Sequence, residues 1–341
     1  MSIFITGASG YVGQHILSEL LSSDRKVIAI VRSKGSQDKL VKLFPTSNLS
    51  FEIVPELDKP NALDSILQKH PEATTFINTA LVVKFTADDY AKEIIDPSIN
   101  IIKYTLTSIK ENAPNIKRVI LTSSLASMIG PDKAFGYNGE YSDDDWSPLT
   151  YELGKINGTM AYFTAKKLAE QEAWNFIKHE KPKFDLVAIM PSLILGPVKF
   201  DTEITKNSQP STSGMIGSLL KLNSNDEIPI MAAGAVDVRD VAIIHNKAID
   251  DENFSNQRIL LESNKITNDN MIQIIIDNFP NWKSKLPKPN PIKESDFVKP
   301  NDERSKKLIG MKLRSLDDSV IDLVKQIEKD DLVELVEKLK V

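Results

Sequence analysis

The chain has 341 residues, of which 41% are hydrophobic and 26% charged, and its 42 Lys+Arg against 47 Asp+Glu give a formal net charge of −5. These values exclude a disordered or collagen-like chain. They also argue against nucleic acid or an anionic membrane as the main partner, since both need concentrated positive charge. There is no cysteine, so disulfides, thiolate nucleophiles and cysteine-held metals are impossible. His15, His70, His179 and His245 are too scattered to suggest a ligand set, and no metal is expected. A core strand stands where a secretory signal would begin, and no apolar run reaches the roughly 18–20 residues of a membrane span. With the absent cysteine, this makes the cytosol the expected address.

In chain order, short runs rich in β-branched residues fall at 3–6, 27–31, 51–54, 75–78, 118–122 and 186–190. Helix-length segments lie between them at 11–21, 62–70, 87–112 (interrupted or restarted at Pro97) and 158–179. Near-continuous apolar strands separated by helices predict a parallel sheet covered on both faces. After Pro191 the texture changes. Pro197, Pro210 and Pro229 punctuate short segments, and 206–214 reads as a loop. A strand-helix signal returns at 236–250, a strand at 258–262 and a helix at 268–279. Residues 287–300 hold four of the 18 prolines and read as a surface loop. From Asp317 the tail has helical periodicity with a charged interruption.

The sharpest local feature is Thr6-Gly7-Ala8-Ser9-Gly10-Tyr11-Val12-Gly13, between the first strand and the first helix. In that setting Gly7 permits the tight turn, Gly10 lets backbone approach a pyrophosphate, and Gly13 lets helix pack on sheet. The helix N-terminus adds free N–H groups for phosphate, so Ser9, Tyr11 and Val12 join the candidate cofactor residues. The second strand ends Val31-Arg32-Ser33-Lys34, with no acidic residue to grip a ribose 2′-hydroxyl. Arg32 and Ser33 are placed to hold a 2′-phosphate, with Lys34 or Lys39 adding charge, which selects NADPH/NADP+. Glu56 and Leu57 follow the third strand and would lie near the adenine, and Asn78, Thr79 and Ala80 end the fourth behind the adenosine ribose.

Tyr162 and Lys166 stand four apart on a helical segment and so share a face. Carbonyl reduction needs a hydride to carbon and a proton to oxygen. A free phenol titrates near 10, and a neighbouring ammonium together with the oxidised nicotinamide would favour phenolate and lower that value. Thr122, Ser123 and Ser124 end the fifth strand, where ligands of doubly wound sheets sit. Ser124 is the candidate to bond the substrate carbonyl, and Ser123 a supporting residue.

The GxxGxxG spacing with this Ser, Tyr and Lys resembles the short-chain dehydrogenase/reductase superfamily in its extended form. Nearly end to end, the chain is similar to the yeast and fungal NADPH-dependent aldehyde/ketone reductases. The similarity runs through GASGYVGQHI, KVIAIVRS, RVILTSSLAS, AYFTAKKLAEQEAW, MPSLILGP, STSGMIGSLL, VDVRDVA and SKKLIGMKLRSL. It implies an α/β fold: a Rossmann doubly wound parallel sheet with a smaller interleaved C-terminal substrate lobe. The cofactor domain would comprise 1–190 plus 236–262, and the substrate lobe 191–235 plus 263–341. The resemblance implies NADPH-dependent reduction of an aldehyde or ketone, with Ser124, Tyr162 and Lys166 as the catalytic triad. It also implies that Pro191, Ser192 and Leu193 flank the nicotinamide and that Ser213 lies near its carboxamide. Asn100 would be a proton relay or a structural residue, and the Asp237–Asp240 run structural. A monomer or a homodimer is equally consistent with it.

Several positions depart from the methylglyoxal-reducing branch. Asn78-Thr79-Ala80-Leu81-Val82-Val83 replaces a His-Thr-Ala-Ser-Pro-Phe run, Leu125 replaces a tyrosine, and Glu56 replaces an aspartate. Val83, Phe85, Leu125, Ile156 and Leu193 would then make an aliphatic pocket for a moderately bulky apolar carbonyl. Sugar dehydratases usually carry acidic residues after the strand-five serine, where this chain has Leu125-Ala126. An alcohol, hydroxysteroid or dihydroflavonol-type dehydrogenase is the alternative enzyme. A non-catalytic NADP sensor is disfavoured, because both Tyr162 and Lys166 are kept.

Overall fold

The computed structural model describes residues 1–134, 140–204, 211–293, 297 and 299–339, with backbone alone for 330–339. Among these residues, ten strands form two sheets. The larger has seven parallel strands in the order β3-β2-β1-β4-β5-β6-β9. These are β1 (Ser2–Thr6), β2 (Lys26–Val31), β3 (Leu49–Ile53), β4 (Ala73–Asn78), β5 (Arg118–Thr122), β6 (Asp185–Pro191) and β9 (Gln257–Leu261). The smaller sheet has the order β10-β8-β7, with β7 (Leu193–Leu195) parallel and β10 (Asn264–Thr267) antiparallel to β8 (Ala232–Asp237). Chain order reverses between β1 and β4, so the ends of those two strands border the crevice where such sheets take ligands.

The strand period of two explains the two-sided core. In β1, Ile3 and Ile5 face one layer, packed with Ile16, Leu17 and Leu20 of α1 (Tyr11–Ser22) and Val241 and Ile244 of α9 (Val238–Asp250). Phe4 between them faces the other layer. That layer is built from α3 (Asp64–Lys69), α4 (Asp96–Asn112) and α7 (Gly158–Glu180), through residues such as Ile66, Leu106, Ile109, Ala169 and Ala173. At the edge near β2 lies α2 (Lys34–Leu43), and short helices α5 (Pro131–Ala134) and α6 (Tyr151–Gly154) precede α7. A third cluster joins the small sheet to α8 (Ser213–Leu219), α10 (Asn268–Asn278) and α12 (Leu316–Leu339), through Ile216, Ile272, Val320 and Val324. The remaining helix, α11 (Glu303–Ile309), packs beside β9.

Several elements differ from the sequence expectation. The helix expected over 87–112 starts at Ala91 as a widened turn of i→i+5 type, Ala91–Ile95, which runs into α4. Pro97 follows directly on that widened turn, so the irregularity expected there takes the form of a change of helical pattern at the start of α4 and not a break in the chain's helical course. The charged stretch in the tail does not interrupt α12. Strands β7 and β10, of three and four residues, are too short to show a period and went unpredicted. Within the loop expected at 206–214, residues 206–210 (Pro210 among them) lie outside the described residues, and the stretch 213–214 opens α8. Residues 294–296 and 298 of the proline-rich loop also lie outside them. Among the described residues, no helix is long and apolar enough to cross a membrane.

Candidate active site

The turn after β1 carries the geometry its glycines suggest. Gly7 has φ +72°, and a Cβ there would stand 2.3 Å from Thr79 Oγ1. A Cβ on Gly13 would stand 2.1 Å from the Gly7 carbonyl oxygen. At Gly10 the nearest atom would be 3.4 Å away, and the residue is exposed. This is the open point of the turn. Gly10 is the N-cap of α1 and no side chain caps the helix, which leaves its first N–H groups to a ligand. Tyr11 turns its side chain away and donates to the Gly196 carbonyl at 2.8 Å, so only its backbone is available. Thr6 donates to Asn78 Oδ1 at 2.8 Å, and Thr79 donates to the Thr6 carbonyl at 2.6 Å. These two bonds pin the end of β4, with Thr79 and Ala80, beside the glycine turn.

Arg32 is exposed at the end of β2 and, among the described residues, holds no carboxylate. The lysines expected to assist it are engaged: Lys34 pairs with Asp38 at 2.8 Å, and Lys39 pairs with Glu203. Ser33 is the N-cap of α2 and accepts from the Ser36 N–H. An open, amide-lined turn beside a free guanidinium fits a phosphorylated dinucleotide. Glu56 is exposed and 3.8 Å from Lys59, and Leu57 packs against the core around Phe4.

Asn157 caps α7, accepting from Met160 N at 2.9 Å, and the helix presents Tyr162 and Lys166 on one face. Ser124 ends the loop after β5, where its Oγ accepts from the Ala126 N–H at 3.2 Å, and its hydroxyl lies near enough to the Tyr162 phenol to act on it. Burial raises the Tyr162 phenol above its ordinary value, and the nearby Ser124 hydroxyl only partly opposes this. The lowering expected at this phenol needs the ammonium together with an oxidised nicotinamide, and burial outweighs what the protein's own groups supply. Lys166 Nζ stands 5.8 Å from the Tyr162 ring centre. Lys166 is itself buried, and loss of solvation lowers it to about 8 against the opposing pull of Glu170. A phenol that keeps its proton at neutral pH is suited to donate it.

The flanking hydroxyls point elsewhere. Thr122 Oγ1 meets His245 Nε2 at 2.8 Å, and Ser123 donates to Glu170 at 2.5 Å, so both side chains serve the interior. Pro191 ends β6, Ser192 donates to the Leu261 carbonyl at 3.0 Å, and Ser213 is buried at the start of α8. Asn100 is half-buried on α4. Among the described residues, no group of three or more acidic or histidine side chains could hold a metal.

The five apolar candidates do not form one closed wall. Leu125 is buried in a cluster with Tyr162, Met190 and Leu260. Phe85, 52% exposed, leans on the Tyr162 ring. Val83 and Ile156 are more exposed still, and Leu193 packs with the small-sheet core. The result is one buried wall and an open apolar rim. The residue that sequence reasoning missed here is Gly158, where a Cβ would stand 1.6 Å from the Phe85 carbonyl oxygen.

Residues 3–259 match the model of the NAD dependent epimerase/dehydratase family. The chain belongs to that family. It is 32% identical over 338 residues to the NADPH-dependent methylglyoxal reductase GRE2 of Saccharomyces cerevisiae, covering 96% of this chain and 98% of that protein. It is 29% identical over 329 residues to the ketoreductase azaE of Aspergillus niger, covering 94% of this chain and 96% of that one. Among solved structures, yeast methylglyoxal/isovaleraldehyde reductase Gre2 complexed with NADPH superposes with a TM-score of 0.93 at 32% identity, covering 97% of this chain and 99% of that chain. Gre2 of Candida albicans with NADPH gives 0.92 at 36% identity, with the same coverage. The seven-stranded parallel sheet and its flanking helices are thus the Rossmann arrangement expected for this family.

Proposed function

We propose that the protein is an NADPH-dependent carbonyl reductase that converts an aldehyde or ketone to the alcohol. The observation that carries this reading is the convergence of three groups: Tyr162 and Lys166 share one face of α7, with Lys166 Nζ 5.8 Å from the phenol ring, and the phenol packs against the cluster that holds Leu125, the neighbour of Ser124. Bound NADPH would supply the hydride. The glycine turn and the α1 N-terminus would hold its pyrophosphate, and Arg32 with Ser33 its 2′-phosphate. Ser124 would donate to the substrate carbonyl oxygen and stabilise charge as it develops there. Tyr162 would deliver the proton to that oxygen, and Lys166 would favour the phenolate left behind. Relatives named as an NADPH-dependent methylglyoxal reductase and a ketoreductase support this class of reaction.

Leu125 beside the phenol and the rim of Val83, Phe85 and Ile156 favour an apolar carbonyl larger than methylglyoxal. The interleaved division, with the cofactor held by 1–190 plus 236–262 and the substrate by the remainder, belongs to the same proposal, as does a cytosolic setting. The test is NADPH consumption by the purified protein over a panel of aldehydes and ketones graded by size. Apolar ketones should outpace methylglyoxal, and a flat, inactive panel would reject the reading.

A further inference from the structure

Glu170 is a fully buried carboxylate on α7, one turn beyond Lys166 and two beyond Tyr162. Burying such a group is costly unless it is paired and hydrogen-bonded. Four donors converge on it. Ser123 Oγ and Ser127 Oγ each stand 2.5 Å from Oε2. Arg258 Nε reaches Oε1 at 2.7 Å from β9, and Trp174 Nε1 reaches it at 3.1 Å. Arg258 and Trp174 can only donate, Ser123 donates as well, and Ser127 shares its one proton between Oε2 and the Ser124 carbonyl at 2.8 Å, a pattern that an acceptor carboxylate satisfies. Arg258 is itself held, stacked 3.8 Å over the Trp146 ring and bonded to the Asp143 and Asp145 carbonyls.

Ser123 and Ser127 bracket Ser124 in the loop after β5. The backbone folds between them into a short turn, Leu125–Ser127, whose Ala126 and Ser127 amides bond back to Ser124 Oγ and to the Ser124 carbonyl. The candidate carbonyl-binding hydroxyl is therefore carried by a loop anchored on both sides to one carboxylate. That carboxylate belongs to the helix bearing Tyr162 and Lys166. We propose that Glu170 is a positioning residue, which fixes Ser124 in register with Tyr162 by clamping Ser123 and Ser127 to α7. It acts through the serines and needs no contact with substrate. It also sets the field at Lys166: among the described residues it is the charged group acting on that ammonium, with Tyr162 on the other side and Arg258 facing Glu170 from β9.

The inference rests on the carbonyl-reductase reading, and its test separates the two. Glu170→Gln keeps the shape but turns an amide toward donors, so kcat should fall at least tenfold while KM for NADPH stays within twofold. Ser127→Ala releases one side of the clamp without touching the charge, and kcat should fall about threefold with the same unchanged KM. Unaltered kcat in both variants, or a KM for NADPH rising in step with the loss, would overturn the proposal. If Glu170→Gln does not fold, Ser127→Ala alone decides. In ligand-free protein labelled with 15N-lysine, the Lys166 ammonium should titrate near 8 in the parent and lower in Glu170→Gln. An unmoved Lys166 would count against Glu170 even if no carbonyl were turned over, whereas an inactive parent protein alone would defeat only the functional reading.

Discussion

Phe85 leans on Tyr162, with ring centroids 5.2 Å apart and planes at 41°. The contact exists because the segment carrying Phe85 crosses the first turn of α7 at Gly158, where any side chain would strike the Phe85 carbonyl. The phenol proposed as proton donor thus has an aromatic neighbour on its open side. Phe85→Ala removes a pair worth ~0.5–1.5 kcal/mol. It should lower urea stability by that amount and, because it strips an apolar side chain from the rim, raise KM for apolar ketones while leaving KM for NADPH unchanged, as steady-state kinetics would show. Gly158→Ala disturbs the same contact through the backbone, and overpacking of this kind costs ~1–3 kcal/mol. Its urea midpoint should fall accordingly.

Among the described residues, Arg32 is the exposed cation left without a carboxylate where α1 and α2 approach the ends of β1 and β2, since Lys34 and Lys39 are paired. A charge-assisted bond to a 2′-phosphate is worth ~1.5–3 kcal/mol. Arg32→Ala should raise the NADPH dissociation constant about ten- to a hundredfold and leave NADH binding unchanged. Equal losses for both nucleotides would show that Arg32 does not read the phosphate.

His245 is buried behind β5 between Thr122 and the Val241 carbonyl, and loss of solvation lowers it to about 4. The folded state therefore resists its protonation, while the unfolded chain takes the proton near 6.5. The stability this contributes is fully present above pH 6.5 and is lost as pH falls from there toward 4, by about 2 kcal/mol at pH 5. His15 is also lowered to about 4 and adds a loss of the same sign. In His245→Gln, the drop in urea stability between pH 7 and pH 5 should shrink by about 2 kcal/mol relative to the parent.

What the sequence showed and what it hid follow from distance along the chain. The glycine turn, the apolar strands and the Tyr162–Lys166 spacing are local signals, set by turn geometry and helical period. Glu170 could have been suspected as an acid on the inward face of α7, one turn after Lys166. Its partners could not, since Ser123 lies 47 residues before it and Arg258 lies 88 after it. Thr122 and His245 are 123 residues apart, so Thr122 reads as a cofactor residue until α9 is packed on β5. The pocket was least legible. Val83, Phe85 and Ile156 are apolar in sequence like core residues, and only the path over Gly158 leaves them on an open rim.

The central claim is that Tyr162 supplies the proton. General acid catalysis contributes about 10²–10⁴-fold, so Tyr162→Phe should lower kcat for carbonyl reduction at least a hundredfold. NADPH affinity, measured on the same protein by fluorescence titration, should change less than threefold. A Tyr162→Phe enzyme that consumes NADPH with its best ketone at the parent rate would contradict the account.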